Sequence, residues 1–176
     1  MKAKGFEWES PKELENRQGK GYKKNSERRY AMTTALEVAK YIIKSLPVDN
    51  LKLQKLLYYS QAVYLVLHNK EPLFIEDIEA WDYGPVVPPV YQMYKQYGFE
   101  NIPPADDEST LDFEEMKAVD MALACFGVMS GPALIGQTHY EAPWKNAYHR
   151  GRPSGIITIE AIYDYFKDAL DFSDET

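Results

Sequence analysis

The pattern of apolar and polar positions is most continuous between Leu51 and His68, a stretch without glycine or proline. Apolar and aromatic residues recur there at helical spacing, at Leu53, Leu56, Leu57, Tyr64 and Leu67. A helix that is apolar on nearly every side is normally buried. The stretch is short for a membrane span, and polar residues stand at its start, at Lys52, Gln54 and Lys55. The pattern therefore predicts a central buried helix over about 51–68, with the other helices packed around it.

The remainder of the chain predicts shorter elements. Helix-start signals and helical spacing predict helices over about 33–46, 88–97, 112–126, 131–137, 141–149 and 159–170. Residues 79–83 and 156–158 favour short strands, and Gly84-Pro85 is predicted to end the first of them. The predicted fold class is mainly α: a compact helical domain around the central helix, with one or two short strands.

Residues 1–31 differ from the rest of the chain in pattern and in charge. They are polar, and they show no sustained period. Residues 1–30 carry nine Lys or Arg and five Glu, whereas residues 31–176 carry eleven basic and twenty-two acidic side chains. We predict a basic, disordered N-terminal extension over 1–31 and one domain over 32–172. Met32 begins a sequence typical of a domain start, so an upstream extension of the reading frame is a second interpretation of residues 1–31.

The charge of the domain, its cysteine content and the lack of a targeting signal indicate which partners and which cellular compartment to expect. An acidic domain repels a phosphate backbone, which disfavours nucleic acid as its partner. The chain has one cysteine and therefore no intramolecular disulfide. No signal peptide or membrane span is recognisable, so we expect a cytoplasmic protein without a membrane partner.

The candidate catalytic and metal-binding residues are few. His139 and Glu141 form an H-x-E triplet, but no cysteine follows to complete a zinc site of the deaminase type. Cys125 lies among apolar residues of a predicted helix, which is typical of a buried, inert thiol. We therefore predict no catalytic residue, no metal and no cofactor, and we expect His139 and Glu141 to brace a turn.

Two aromatic segments stand apart from this pattern, Trp81–Val86 and Thr138–Trp144. The chain has fourteen tyrosines, and Tyr and Trp are favoured where one end of a side chain is buried and the other is wet, as at protein interfaces. A second interpretation is that Trp81 and Trp144 are core residues that pack loops onto the central helix. The sequence leaves both interpretations open.

Three segments together resemble a known family. KLQKLLYYSQAVYL (52–65), EAWDYGPVVPPVYQMYKQYG (79–98) and THYEAPWKNAY (138–148) are similar in order and spacing to the Panacea antitoxin domain. That family was long described as phage-associated proteins of unknown function and includes SocA-type antitoxins. The resemblance covers about residues 33–170.

The resemblance implies a mainly helical, non-enzymatic antitoxin of a toxin–antitoxin system that neutralises a cognate protein toxin by direct binding. Two alternatives remain: an adaptor that delivers the toxin to an AAA+ protease, and an enzyme that uses His139 and Glu141. Eight residues match positions of the family motif and are therefore candidate partner contacts: Trp81, Tyr83, Pro85, Val86, Tyr91, His139, Glu141 and Trp144.

Overall fold

The computed structural model describes residues 33–105, 108–150 and 155–170. These residues form seven α-helices, three strands and one 3₁₀ turn. In chain order the elements are α1 (Ala35–Ser45), α2 (Asn50–Leu67), β1 (Ile78–Trp81), β2 (Gly84–Val86), α3 (Pro88–Tyr94), the 3₁₀ turn (Lys95–Tyr97), α4 (Phe113–Phe126), α5 (Gly131–Tyr140), α6 (Ala142–Ala147), β3 (Gly155–Ile157) and α7 (Ile159–Phe166). The prediction of a mainly helical fold with a few short strands is confirmed.

Helix α2 is the central helix that the apolar pattern predicts, displaced by one residue at each end. Thirteen of its eighteen residues are buried. Asp49 caps its start by accepting a hydrogen bond from the backbone N–H of Lys52 at 2.7 Å. Helices α1, α4, α5 and α7 and strand β2 all pack against it. An apolar surface on every side is what allows one helix to be covered from so many directions.

Short-range chemistry fixes where the other helices begin. Thr34 and Glu37 form a capping box at α1, and Asp112 and Glu115 form a second one at α4. Ser130 caps α5 and Thr158 caps α7, each by accepting a bond from a backbone N–H of the first turn. The helix starts that the sequence predicts, at about 33, 112, 131 and 159, lie within two residues of the observed ones, because a cap depends on residues three positions apart.

The three strands form one antiparallel sheet in the order β2-β1-β3. Glu79 of β1 stands opposite Val86 of β2 and Ile156 of β3. The prediction that Gly84-Pro85 only ends the first strand is incomplete, because these residues begin β2. The first strand ends at Trp81, and a two-residue turn returns the chain along it.

Some local predictions differ from the structure. The α-helix expected over 88–97 ends at Tyr94 and continues as a 3₁₀ turn, and the last helix ends at Phe166. The prediction that Cys125 is buried is wrong, since its side chain is exposed. Residues 1–31 lie outside the described residues, so the predicted disordered extension and the domain bounds 32–172 stay predictions.

Within the described parts of the chain, no single helix has both the length and the apolar character to cross a membrane. In these parts of the chain, only two consecutive helices taken together reach that length and apolar character, Phe113–Phe126 and Gly131–Tyr140, and the angle between them is 98°.

Candidate partner-binding cleft

The two aromatic segments of the sequence meet above the central helix. The indole Nε1 of Trp144 donates a hydrogen bond to the carbonyl oxygen of Trp81 at 3.0 Å. The hydroxyl of Tyr148 donates to Oδ1 of Asp82 at 2.7 Å. Helix α6 is thereby attached to the turn between β1 and β2. Segments more than fifty residues apart in sequence form one surface.

Gly84 lies where this surface contacts the central helix. Its φ is +98°, in the region that favours glycine. A Cβ atom at this position would lie 2.6 Å from Cε of Lys55 and 2.8 Å from Oγ1 of Thr138. Both the backbone conformation and the lack of space therefore require glycine. The close approach places the first aromatic segment directly against the second.

Three rings stack beside this junction. The ring of His139 lies 4.0 Å from that of Trp144, and Trp144 lies 4.5 Å from Tyr148, with interplanar angles of 16° and 14°. Trp144 is buried at 7% exposure. Burial lowers the pKa of His139, which favours its neutral form. The stack makes α5 and α6 a rigid support for the turn at Asp82.

Glu141 connects α5 to α6 and points into the core. Its Oε1 accepts hydrogen bonds from the hydroxyl of Tyr59 at 2.9 Å and from Nε2 of Gln137 at 3.3 Å. Its other oxygen, Oε2, and the hydroxyl of Tyr58 are also buried, and the two side chains interact. Burial raises the pKa of Glu141 to about 7. The expectation that Glu141 braces a turn agrees with this geometry.

An open cleft of about 810 Å³ lies on the other side of the junction. Aromatic side chains dominate its walls: Trp81, Tyr83, Tyr91, Phe99 and Tyr148. Tyr83 is 67% exposed and Phe99 is 88% exposed. The rings of Trp81 and Tyr91 meet edge to face at 5.0 Å. Charged and titratable groups lie among them, at Asp82, Lys95 and His149.

The predicted contact residues divide into two groups. Trp81, Tyr83, Val86 and Tyr91 line the cleft. Pro85 and Trp144 are buried, and His139 and Glu141 support the junction from behind. Trp144 is a core residue that packs α6 onto the turn, whereas half-buried Trp81 lines the cleft, where the interface interpretation stays a prediction.

Two of the aromatic wall residues, Phe99 and Tyr148, were missing from the sequence-based set. Tyr148 lies within the matched segment 138–148, so the motif contained the signal. Phe99 follows Gly98 after α3, and no periodic pattern includes it. Only the turn at Gly98, with φ of +55°, brings Phe99 to the cleft.

Three side chains of the central helix bond the backbone of the cleft walls, and two of them, Asn50 and Gln54, also line the cleft. Nδ2 of Asn50 donates to the carbonyl oxygen of Tyr91 at 3.1 Å. Oε1 of Gln54 accepts from the backbone N–H of Val87 at 2.9 Å. Nζ of Lys55 donates to the carbonyl oxygen of Pro85 at 3.1 Å. All three side chains are buried, and burial lowers the pKa of Lys55 to about 7.

The two candidate acid–base residues, His139 and Glu141, both make contacts within the protein. Across the described residues, no group of three or more His, Cys, Asp or Glu side chains is placed to hold a metal ion. The ring of His139 stacks on Trp144, whereas the carboxyl group of Glu141 bonds Tyr59 in the core. At the cleft, the exposed rings of Tyr83 and Phe99 stand beside the exposed charged groups of Asp82 and Lys95.

Comparisons with known proteins agree with the motif resemblance. The family model described as "Antitoxin SocA-like, Panacea domain" matches residues 53–145. Antitoxin SocA of Caulobacter vibrioides (strain NA1000 / CB15N) is 31% identical over 118 residues, a match that covers 56% of this chain and 59% of that protein. The chain thus spans about three fifths of the length of the curated relative it matches. No solved structure matches the chain.

The family match includes most of the central helix, the sheet hairpin and α3 to α5, and it ends just after Trp144. It therefore contains the junction and most walls of the cleft. Since it spans more than half of the chain, this protein belongs to the Antitoxin SocA-like, Panacea domain family.

Proposed function

We propose that this protein is the antitoxin of a toxin–antitoxin pair and that it neutralises a protein toxin by direct binding at the aromatic cleft. The observation that carries the proposal is the open cleft walled by Trp81, Tyr83, Tyr91, Phe99 and Tyr148, built on the matched family segment. The relative from Caulobacter is itself named an antitoxin.

The physical support is the placement of the aromatic side chains. Tyr83 and Phe99 expose most of their surface to water. Covering such rings with a partner releases apolar surface from water, and aromatic anchors carry a large share of the energy of many interfaces. The stack behind the turn packs the segment that carries Tyr83, so this ring needs little ordering on binding.

The proposed activity is non-enzymatic. His139 and Glu141 were the candidate acid–base pair, and each already makes a contact within the fold. Trp144 stacks on His139, and the hydroxyl of Tyr59 donates a hydrogen bond to Glu141. A binding antitoxin needs neither a nucleophile nor a metal. The cytoplasm, where a toxin is synthesised, is the expected location.

The test compares two exposed tyrosines. Tyr83 lies in the cleft, whereas Tyr140 is 82% exposed and lies outside it. Each is changed to Asp, and each variant is checked for folding by circular dichroism. The probe is the protein encoded by the adjacent reading frame, assayed by growth rescue on co-expression and by affinity with purified proteins. We expect Tyr83→Asp to weaken binding at least about tenfold and Tyr140→Asp to leave it unchanged.

The outcomes separate the parts of the proposal. Full binding by folded Tyr83→Asp and Phe99→Asp variants would place the contact surface outside the cleft. Rescue by the wild-type protein without any complex would contradict neutralisation by direct binding. A toxin lifetime that shortens in the presence of this protein, and only while an AAA+ protease is active, would indicate delivery for degradation instead of blocking.

A further inference from the structure

The outer edge of strand β2 is bonded by side chains of the central helix. The inner edge of β2 pairs with β1, with Glu79 opposite Val86. Alternate residues of a strand direct their backbone groups to the same edge. The carbonyl oxygen of Pro85 and the N–H of Val87 therefore face away from β1. Lys55 and Gln54 bond these two groups in place of a neighbouring strand.

A third bond extends this arrangement into the helix that forms another wall. Nε2 of Gln54 donates to Oδ1 of Asn50 at 2.9 Å, which orients the Asn50 amide. The Nδ2 group of Asn50 then donates to the carbonyl oxygen of Tyr91 in α3. Gln54 thus bonds the strand edge directly and the helix wall through Asn50. The backbone of both cleft walls is connected to one rigid helix.

We propose that Asn50, Gln54 and Lys55 are positioning residues that hold the two walls of the cleft at their binding separation, so that toxin affinity depends on their polar atoms. This inference rests on the proposed function of the cleft. The exposed rings contact the partner. Asn50 and Gln54 also line the cleft, but at 3% and 1% exposure they offer a partner almost no surface, so they act through the backbone that carries the rings, as does fully buried Lys55. Loss of a bond lets Tyr91 and the Tyr83 turn move relative to each other, which weakens a contact that needs both.

The central helix offers a matched control in Gln61. It is also a buried glutamine, at 2% exposure against 1% for Gln54. Its Oε1 accepts from the backbone N–H of Leu73 at 2.8 Å, and its Nε2 donates to the carbonyl oxygen of Phe74 at 2.9 Å. Neither Leu73 nor Phe74 lines the cleft. Gln61→Met therefore removes the same chemistry from the same helix but leaves the cleft walls bonded.

A first experiment tests the geometry without any partner. Hydrogen exchange is measured on the wild-type chain and on the Gln54→Met and Gln61→Met variants. We expect Gln54→Met to accelerate exchange about tenfold at the backbone N–H groups of Val87, Val90 and Tyr91, with Leu73 and Phe74 unchanged. Gln61→Met should show the reverse pattern. Unchanged exchange at Val87, Val90 and Tyr91 in Gln54→Met would overturn the positioning role.

A second experiment measures affinity for the protein encoded by the adjacent reading frame, together with thermal unfolding of each variant. We expect Gln54→Met to weaken binding at least about tenfold and Gln61→Met to bind like wild type, although both lower the melting temperature. Equal loss of affinity in the two variants would mean that the role is purely structural and would contradict the inference. Wild-type affinity in Gln54→Met would also contradict it.

Two provisions keep the test decisive. If Gln54→Met does not fold, Asn50→Ala replaces it, because that change removes only the bonds to Tyr91 and Gln54 at the start of the helix. If the wild-type chain itself does not bind the probe, the proposed function fails, and the exchange experiment still decides whether these residues hold the walls. Failure of the function and failure of the inference are thus distinguished.

Discussion

The indole Nε1 of Trp144 donates a hydrogen bond to the carbonyl oxygen of Trp81 at 3.0 Å, so each aromatic segment contributes one tryptophan to the same junction. One tryptophan supplies a side-chain donor and the other a backbone acceptor. The bond holds α6 against the turn that carries Tyr83. The candidate binding surface is consequently a product of two motifs and not of either motif alone.

Trp144→Phe removes this donor, so the carbonyl oxygen of Trp81 loses its side-chain partner. We expect a loss of about 0.5–1.5 kcal/mol in the free energy of unfolding, measured by urea denaturation. Trp81→Phe is the control, because its indole N–H bonds Glu79 in a half-buried setting and should cost less. Equal losses in the two variants would argue that ring area, and not the bond, stabilises the junction.

Gly84→Ala tests the close approach between the motifs and the central helix. We expect a loss of at least about 2 kcal/mol, because both the positive φ and the contact with Lys55 oppose a Cβ atom. Gly98→Ala is the control, since Gly98 also has positive φ but no heavy atom within 4 Å of an added Cβ. Chemical denaturation should give a smaller loss in the free energy of unfolding for Gly98→Ala than for Gly84→Ala. Equal losses in the two variants would mean that packing at Gly84 is unimportant.

Leu57→Ala tests the role of the central helix in stability. Leu57 is fully buried, and truncation of such a side chain typically costs about 2–5 kcal/mol because a cavity remains. Thermal and urea unfolding should both report the loss. Lys117→Ala, at an exposed position on α4, is the comparison. An effect of Leu57→Ala below about half a kcal/mol would contradict the central position of α2.

The Glu141 carboxyl group should make stability depend on pH in the acid range. Burial raises its pKa from 4.5 to about 7, so the folded chain binds more protons than the unfolded chain between these values. Its stabilising contribution is complete below about pH 4.5 and is lost as pH rises through 7. The whole change is on the order of 3 kcal/mol.

Glu141→Gln should remove most of that slope while keeping an acceptor for the Tyr59 hydroxyl. Unfolding free energies measured from pH 4.5 to 7.5 give the comparison. Glu100→Gln, at an exposed position, is the charge-matched control. If wild type and Glu141→Gln have parallel pH profiles, the pKa of the carboxyl group is the same in the folded and the unfolded chain, and the assignment is wrong.

Lys55 should make the free energy of unfolding increase with pH above 7, whereas Glu141 makes it decrease with pH below 7. Burial lowers its pKa from 10.5 to about 7, so the unfolded chain binds more protons between these values. The free energy of unfolding therefore increases as pH rises above 7, and Lys55 contributes up to about 1.4 kcal/mol per pH unit to this increase. Denaturation between pH 7 and 9.5 measures the slope.

Lys55→Met should flatten the profile over that range. Lys117→Met, exposed on α4, should leave it unchanged. A wild-type profile that is level from pH 7 to 9.5 would mean that Lys55 keeps its ordinary pKa, despite its burial beneath Gly84.

Local chemistry allowed the sequence by itself to determine the helices. The central helix needed only a continuous apolar pattern and the Asp49 cap, and the capping boxes at Thr34 and Asp112 needed only residues three positions apart. The motif order also led to the family. Each of these signals lies within a single helix or segment of the chain, where neighbouring positions constrain one another directly.

Tertiary structure alone decided which face each residue presents and what it meets. Cys125 has apolar neighbours in sequence, but sequence neighbours lie on different faces of a helix, and its own face is exposed. Gly84-Pro85 became a strand because β1 and the side chains of Gln54 and Lys55 bond its two edges. Phe99 and Tyr148 joined the cleft, while Glu141 turned into the core. The physical reason is that these outcomes depend on contacts between residues far apart in the chain, which no local pattern records.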